Sequence, residues 1–236
     1  MERLSAALSL CLLVVSSLFA AGTAHAQAER SDWDRLLDLD EIWWFGIDFS
    51  HAEFIDPAGF RQPEQIFPAH LNEWNDRFRE DGIAQVLARK LDTDMHLHAV
   101  VVQPANDSAS AEQIRSKPLR GNGLDLREIR ASLMRYRGLP ENAGIGVVAM
   151  VDRFDHGQNL GCVHLVFFDL TNRRVLDAPR RCQDVGGFGF IARWLRPVKT
   201  TVARMNEVRK EWRVFARKAR KGRLDPPTLT RLLPYW

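Results

Sequence analysis

Apolar and polar positions along this chain fall into blocks of two periods. Residues 42–49 (IWWFGIDF) are apolar on both alternating faces and rich in aromatics, which predicts a strand covered on both sides. Pro57, Gly59 and Pro63 then punctuate a loop. From Phe67 to Leu91 apolar residues recur every three or four positions, predicting helix over 64–91 with a break at Gly82. Residues 95–103 (MHLHAVVVQ) predict a second strand stopped by Pro104, and the small polar stretch 104–123 reads as a loop. A helix follows over 125–137, ended by Gly138 and Pro140.

Gly144 and Gly146 lead into a third strand that runs to about Phe154. Strands 160–170 and 174–184 are joined at Thr171-Asn172-Arg173. After the glycines at 186 and 187 a long helix is expected over 191–221, with Pro197 marking an early kink or a late start. The order β-α-β-α-β-β-β-α predicts a mixed α/β (α+β) fold: one five-stranded sheet, helices packed on it, and a long C-terminal helix. A polar lead-in with one helical turn at 33–39 precedes the first strand. No composition shift divides the chain, so 27–223 reads as a single domain with a tail at 224–236.

The first residues have a different pattern. Charged Glu2 and Arg3 precede an apolar core over 8–21, and Ala24-His25-Ala26 fits a small-x-small cleavage site. This is the layout of a secretory signal peptide, 1–26, removed before Gln27; its core is shorter than the roughly 20 residues a membrane anchor needs. Export to the periplasm is therefore expected. Cleavage removes Cys11 and leaves Cys162 and Cys182. In a hairpin centred on Asn172 these two lie directly opposite each other, as do Phe168 with Leu176 and Leu170 with Arg174. A Cys162–Cys182 disulfide is the expectation in an oxidising compartment. The sequon Asn106-Asp107-Ser108 bears only on a eukaryotic secretory route.

Composition adds that the chain is 45% hydrophobic and 27% charged, ordinary for a soluble globular protein, which excludes disordered and fibrous classes. The net charge of +3 is unevenly placed. Twelve basic residues against Glu207 and Glu211 give 193–223 a charge of +10 and leave the rest at −7. Apolar Val198, Val202, Met205, Val208, Trp212 and Phe215 form one stripe of that helix, so Arg209, Arg213, Arg217 and Lys221 fall on its basic remainder. Such a face suits an anionic envelope component, an acidic protein or peripheral contact with a membrane surface. The alternative is neutralisation by the acidic body. Nucleic acid is disfavoured by the compartment.

Catalytic signatures are sparse. The chain contains no G-x-S-x-G, H-E-x-x-H, C-x-x-C or P-loop pattern. Residues 187–192 match G-x-G-x-x-A, but they follow a hairpin late in the chain and read as a glycine bulge, so no cofactor is expected. His96 and His98 share a strand face and could supply two metal ligands, with Asp48, His164 or the Asp92/Asp94 pair as a third. Asp48 interrupts an apolar strand at its C-terminal end, where ligands bind in open α/β sheets. It either serves such a site, caps the following loop with Ser50, or pairs with an arginine.

Trp44-x-Gly46-x-Asp48-Phe49-Ser50, then Trp74-Asn75, then Gly187-Phe188-Gly189-Phe190 before Trp194, resembles a family of exported bacterial proteins that open with an aromatic-x-G-x-D-F-S strand. The resemblance implies an exported mixed α/β domain and assigns no activity or functional residue. Two functional readings follow. The first is a non-enzymatic exported binding or envelope-associated protein that docks through the basic helix. The second is a periplasmic hydrolase or metal enzyme using Asp48 with His96, His98 or His164.

Overall fold

Every residue of the strand 145–155 is buried, as only a central strand covered on both faces can be. It belongs to a computed structural model that describes residues 31–141 and 144–221; the expected leader 1–26 and tail 224–236 lie outside these. The strands are β1 (Glu41–Asp48), β2 (Glu53–Ile55), β3 (Asp94–Leu97), β4 (Ile114–Arg115), β5 (Ile145–Asp155), β6 (Leu160–Asp169), β7 (Val175–Asp177) and β8 (Arg180–Asp184). They make one mixed sheet of five lanes. β5 pairs antiparallel with β6 along one edge; on the other it pairs parallel, first with β1 and then with β2. β3 and β4 form the outer lane beside β1 and β2, and β7 and β8 the outer lane beside β6.

The main helices are α1 (Asp32–Leu37), α2 (Leu71–Glu80), α3 (Ile83–Leu91), α4 (Gln103–Asp107), α5 (Leu126–Arg135), α6 (Phe190–Ala203) and α7 (Met205–Arg220), with short helical turns at Pro63–Gln65 and Ile66–His70 leading into α2. Residues of α1, α2, α3, α6 and α7 join Trp44, Ile47, Phe49, Val147, Ala149 and Leu165 in one buried cluster on the first face of the sheet. On the second face α5 and the turn Ala99–Val102 cover Phe45, Val148, Met150, Val166 and Phe168. The strand period of two thus feeds two cores, and removing either cover would expose a full apolar sheet face.

Cys162 and Cys182 are paired across β6 and β8 and joined in a disulfide, with Cα atoms 4.0 Å apart. Closing a loop of this length stabilises a fold by about 3 kcal/mol in the chain-entropy model. The expected hairpin register holds from Leu160 opposite Asp184 to His164 opposite Arg180, but slips by one residue near the turn. Phe168 faces Val175 rather than Leu176 there, and the Arg174 carbonyl accepts from the Asp169 N–H at 2.9 Å.

Three other expectations are corrected. The second strand ends at Leu97, and Val101 and Val102 turn into the second core. The stretch 104–123 is not one loop: it contains α4, the capped turn Ala111–Gln113 and β4. The C-terminal helix bends at Arg204, not at Pro197. Pro197 stays inside α6, its ring filling the space above Gly161, where a Cβ would come within 2.4 Å of it.

Helix α7 is fastened to the sheet through Asp177, which accepts hydrogen bonds from the Trp212 indole at 2.6 Å and the Ala178 N–H at 2.9 Å. Burial pushes its carboxyl up to about 6, against the lowering effect of the indole. Between about pH 4 and 6 the folded chain therefore holds a proton that the unfolded chain has lost, so stability falls as pH rises through that window. Asp177→Asn keeps an acceptor for the indole without the charge. It should raise the unfolding free energy at pH 7 by about 1–2 kcal/mol, partial exposure screening the full value, and bring no gain at pH 4, as read by urea titrations.

Candidate functional site

The C-terminal end of β1 is built around a missing neighbour. At Gly46 the backbone takes φ +101 and the register with β5 shifts by one residue. A Cβ at Gly46 would lie 2.6 Å from Asn75 Oδ1 and 3.0 Å from Val102, so only glycine lets the turn 99–102 approach this closely. That turn takes the chain away from the sheet, and the outer edge of β1 beyond Gly46 loses its strand partner.

Side-chain amides replace that partner. Asn75 accepts from the Ile47 N–H at 2.7 Å and donates to the Ile47 carbonyl at 3.0 Å. Asn106 accepts from the Phe49 N–H at 2.7 Å and donates to the Ile47 carbonyl at 2.9 Å. Gln113 donates to the carbonyls of Phe49 and Ala52, both at 2.9 Å. Asn106 is fully buried, so its sequon offers no surface acceptor for a glycan. In the sequence Asn75 stood out only beside Trp74, Asn106 only as a sequon and Gln113 not at all, because a lone amide in a helix or loop looks like solvent-facing polarity.

Asp48, at 2% exposure, sits inside this closed end. It accepts from the Ser50 N–H at 2.8 Å, which is the loop-capping arrangement, and from the Tyr136 hydroxyl at 2.5 Å. Burial and the neighbouring Asp48 charge push the Tyr136 hydroxyl well above its ordinary value, so it remains the donor. Nearby, His51 Nε2 meets Ser132 Oγ at 2.7 Å and Arg135 Nη2 at 2.9 Å. A guanidinium can only donate, so Nε2 is an acceptor and the imidazole is neutral. Burial, Arg135 and Arg120 lower the His51 pKa, although Asp48 opposes them.

A serine hydroxyl on a neutral imidazole is the raw form of an activated nucleophile. Here Ser132 is fully buried and also within 3.2 Å of the Glu128 carbonyl, while Asp48 is occupied by Tyr136 and Ser50. The hydroxyl has no access to solvent, His51 is half-buried, and the contact ties α5 to the loop after β1.

A second polar group continues along the same sheet face. A bulge in β5 sets both Asp152 and Arg153 against Cys162. Arg180 Nε bonds Asp152 at 2.6 Å, and His164 lies 3.6 Å from the same carboxylate. Burial works against the charge on Asp152, but His164 and Arg180 hold its pKa below the ordinary carboxylate value. Arg153 donates to the Arg120 carbonyl, and Arg120 bridges Glu128 at 2.9 Å and buried Glu53 at 3.4 Å.

The histidines of the second functional reading do not converge. His96 lies opposite Trp43, stacks on its ring at 4.6 Å and bonds Glu41 at 2.9 Å. His98 bonds the Gly138 carbonyl at 3.1 Å. Asp48 is at the other end of β1, about 15 Å along the strand, and His164 lies beyond β5 from it. Among the described residues no group of three His, Cys, Asp or Glu side chains could hold a metal ion. An open groove of about 740 Å³ runs beside β3, where Ala84 and Ala88 of α3 leave room against Met95 and Leu97; it too is at the far end of β1 from Asp48.

The basic residues are differently placed. Met205, Val208, Trp212 and Ala216 of α7 enter the first core. Arg209 is drawn halfway under, whereas Lys210, Arg213, Arg217, Lys218 and Lys221 are exposed. Elsewhere cations are taken up internally: Lys199 by Asp81 at 2.5 Å, Arg220 by Asp34, and Arg181 by Glu211 at 3.3 Å. No ion pair to a described residue engages the five exposed cations.

The segments that carry the sequence resemblance meet in space. Gly46 receives Asn75, Trp74 packs on Phe49 at 5.1 Å and Phe190 at 5.8 Å, and the Trp74 indole donates to the Ile191 carbonyl at 3.0 Å. No protein-family model, curated protein or solved structure matches the chain.

Truncating Asn106 tests the closure. Asn106→Ala strands the buried Phe49 N–H and removes one donor to the Ile47 carbonyl. It should lower stability by about 2–4 kcal/mol in urea unfolding. A loss under 1 kcal/mol would show that this end of β1 is hydrated and open.

Proposed function

We propose that the protein is an exported, non-enzymatic component of the cell envelope that docks on an anionic surface through the outer face of α7. The observation that carries this reading is the row of Lys210, Arg213, Arg217, Lys218 and Lys221, exposed and without a carboxylate partner among the described residues. Internal neutralisation takes Lys199 and Arg220 but leaves these five in water. The apolar stripe of α7 is committed to the core, so folding does not explain the cations on the opposite side. Export to the periplasm is supported by the leader pattern of 1–26 and by the Cys162–Cys182 disulfide, a bond that persists in oxidising compartments. The closed end of β1, with Ser132 and Asp48 out of reach of solvent, gives no support to a hydrolase.

The test is binding of the exported protein to two anionic probes, phosphatidylglycerol vesicles and polyglutamate. Binding in 0.1 M salt should weaken sharply toward 1 M, as the Debye length falls from about 10 Å to about 3 Å. Reversing Arg213, Arg217 and Lys221 to Glu should abolish it with little change in melting temperature, since exposed charges contribute only about 0–1 kcal/mol each. Absence of binding to both probes, or full binding by the triple variant, would overturn the reading.

A further inference from the structure

We infer that the anionic surface is a phospholipid leaflet and that Phe188 is the apolar anchor that enters it; this rests on the docking reading above. Isolated exposed apolar residues are common and need no explanation. Phe188 differs in three respects. Its side chain is in water over its whole surface, whereas the other exposed large apolar residues described are only 39–69% exposed. It stands on a tip made of Gly186, Gly187 and Gly189, with φ +124 and +84 at the last two, conformations that L side chains rarely adopt. The base of the tip is well packed: Phe190 stacks on Trp74, and Trp194 packs on Phe60 and Phe154 at 5.0 Å each. The aromatic thus projects from a packed aromatic base into water.

Cations begin beside it. A Cβ at Gly186 would lie 2.3 Å from the Arg196 guanidinium, so that head group rests against the tip. Helices α6 and α7 send their apolar stripes into the same core, which places their opposite sides on one outer surface. That surface follows about 45 Å of helix length, bent at Arg204, and exposes Arg196, Arg204, Lys210, Arg213 and Arg217 along the way. An acidic protein would need carboxylates matched to this long, sparse spacing. A headgroup layer offers negative charge at any spacing, together with an acyl region for a projecting ring.

The experiment compares the full exported chain with Phe188→Ala, Phe188→Trp and the triple Glu variant on vesicles containing phosphatidylglycerol, on pure phosphatidylcholine, and on polyglutamate. Phe188→Ala should weaken binding to the anionic vesicles about tenfold, leave polyglutamate binding and melting temperature unchanged, and be rescued by Phe188→Trp. Each cation near an anionic leaflet is worth about fivefold, so the triple variant should lose a hundredfold or more. If Phe188→Ala binds vesicles as the parent does, the anchor is overturned while the docking reading stands. If polyglutamate is bound and vesicles are not, the partner is an acidic protein and the lipid assignment falls. If neither is bound, the docking reading itself fails.

Discussion

The edge of β1 beyond Gly46 determines how the rest of the molecule is arranged. A strand in mid-sheet must satisfy backbone groups on both sides. β5 serves one side to Asp48, but β3 stops short of the other. Asn75 from α2, Asn106 from α4 and Gln113 from the turn before β4 supply the missing donors and acceptors. Each binds two backbone groups at once, so α2, α4 and the approach to β4 are placed by the demands of a broken strand. Gly46 is the other half of the device, because its missing side chain makes room for Asn75 and the turn at 99–102.

This closure decides what the site can do. In an open α/β sheet the crevice at strand C-terminal ends is where ligands enter. Here amides and Tyr136 fill it, and Asp48, His51 and Ser132 become fasteners between β1, its loop and α5. On the outside, α6 and α7 show one side to the core and the other, cationic side to solvent.

The parts of this picture legible in sequence are those governed by periodicity and distance from a turn. Both faces of β1 read as buried because alternation was absent, and the cysteine pair followed from its symmetry about Asn172. The valines of 99–102 have strand character, yet their destination was set by Gly46, far away in sequence, so local propensity gave the wrong answer. The His51–Ser132 contact spans 81 positions and Tyr136–Asp48 spans 88, and no local pattern records such pairings. His96 and His98 looked like ligands on spacing alone; Trp43 and Glu41 engage His96 instead, and the Gly138 carbonyl engages His98.

Native-state hydrogen exchange at the Ile47 and Phe49 amides measures the closure of β1 most directly. Both N–H groups are held by side chains rather than by a neighbouring strand. If Asn75 and Asn106 seal this end, the two amides should exchange only through global unfolding, with protection equal to that of Val148 in the middle of β5. Exchange through local opening, several kcal/mol below the global value, would contradict the account and return the end of β1 to consideration as an open, ligand-accessible crevice.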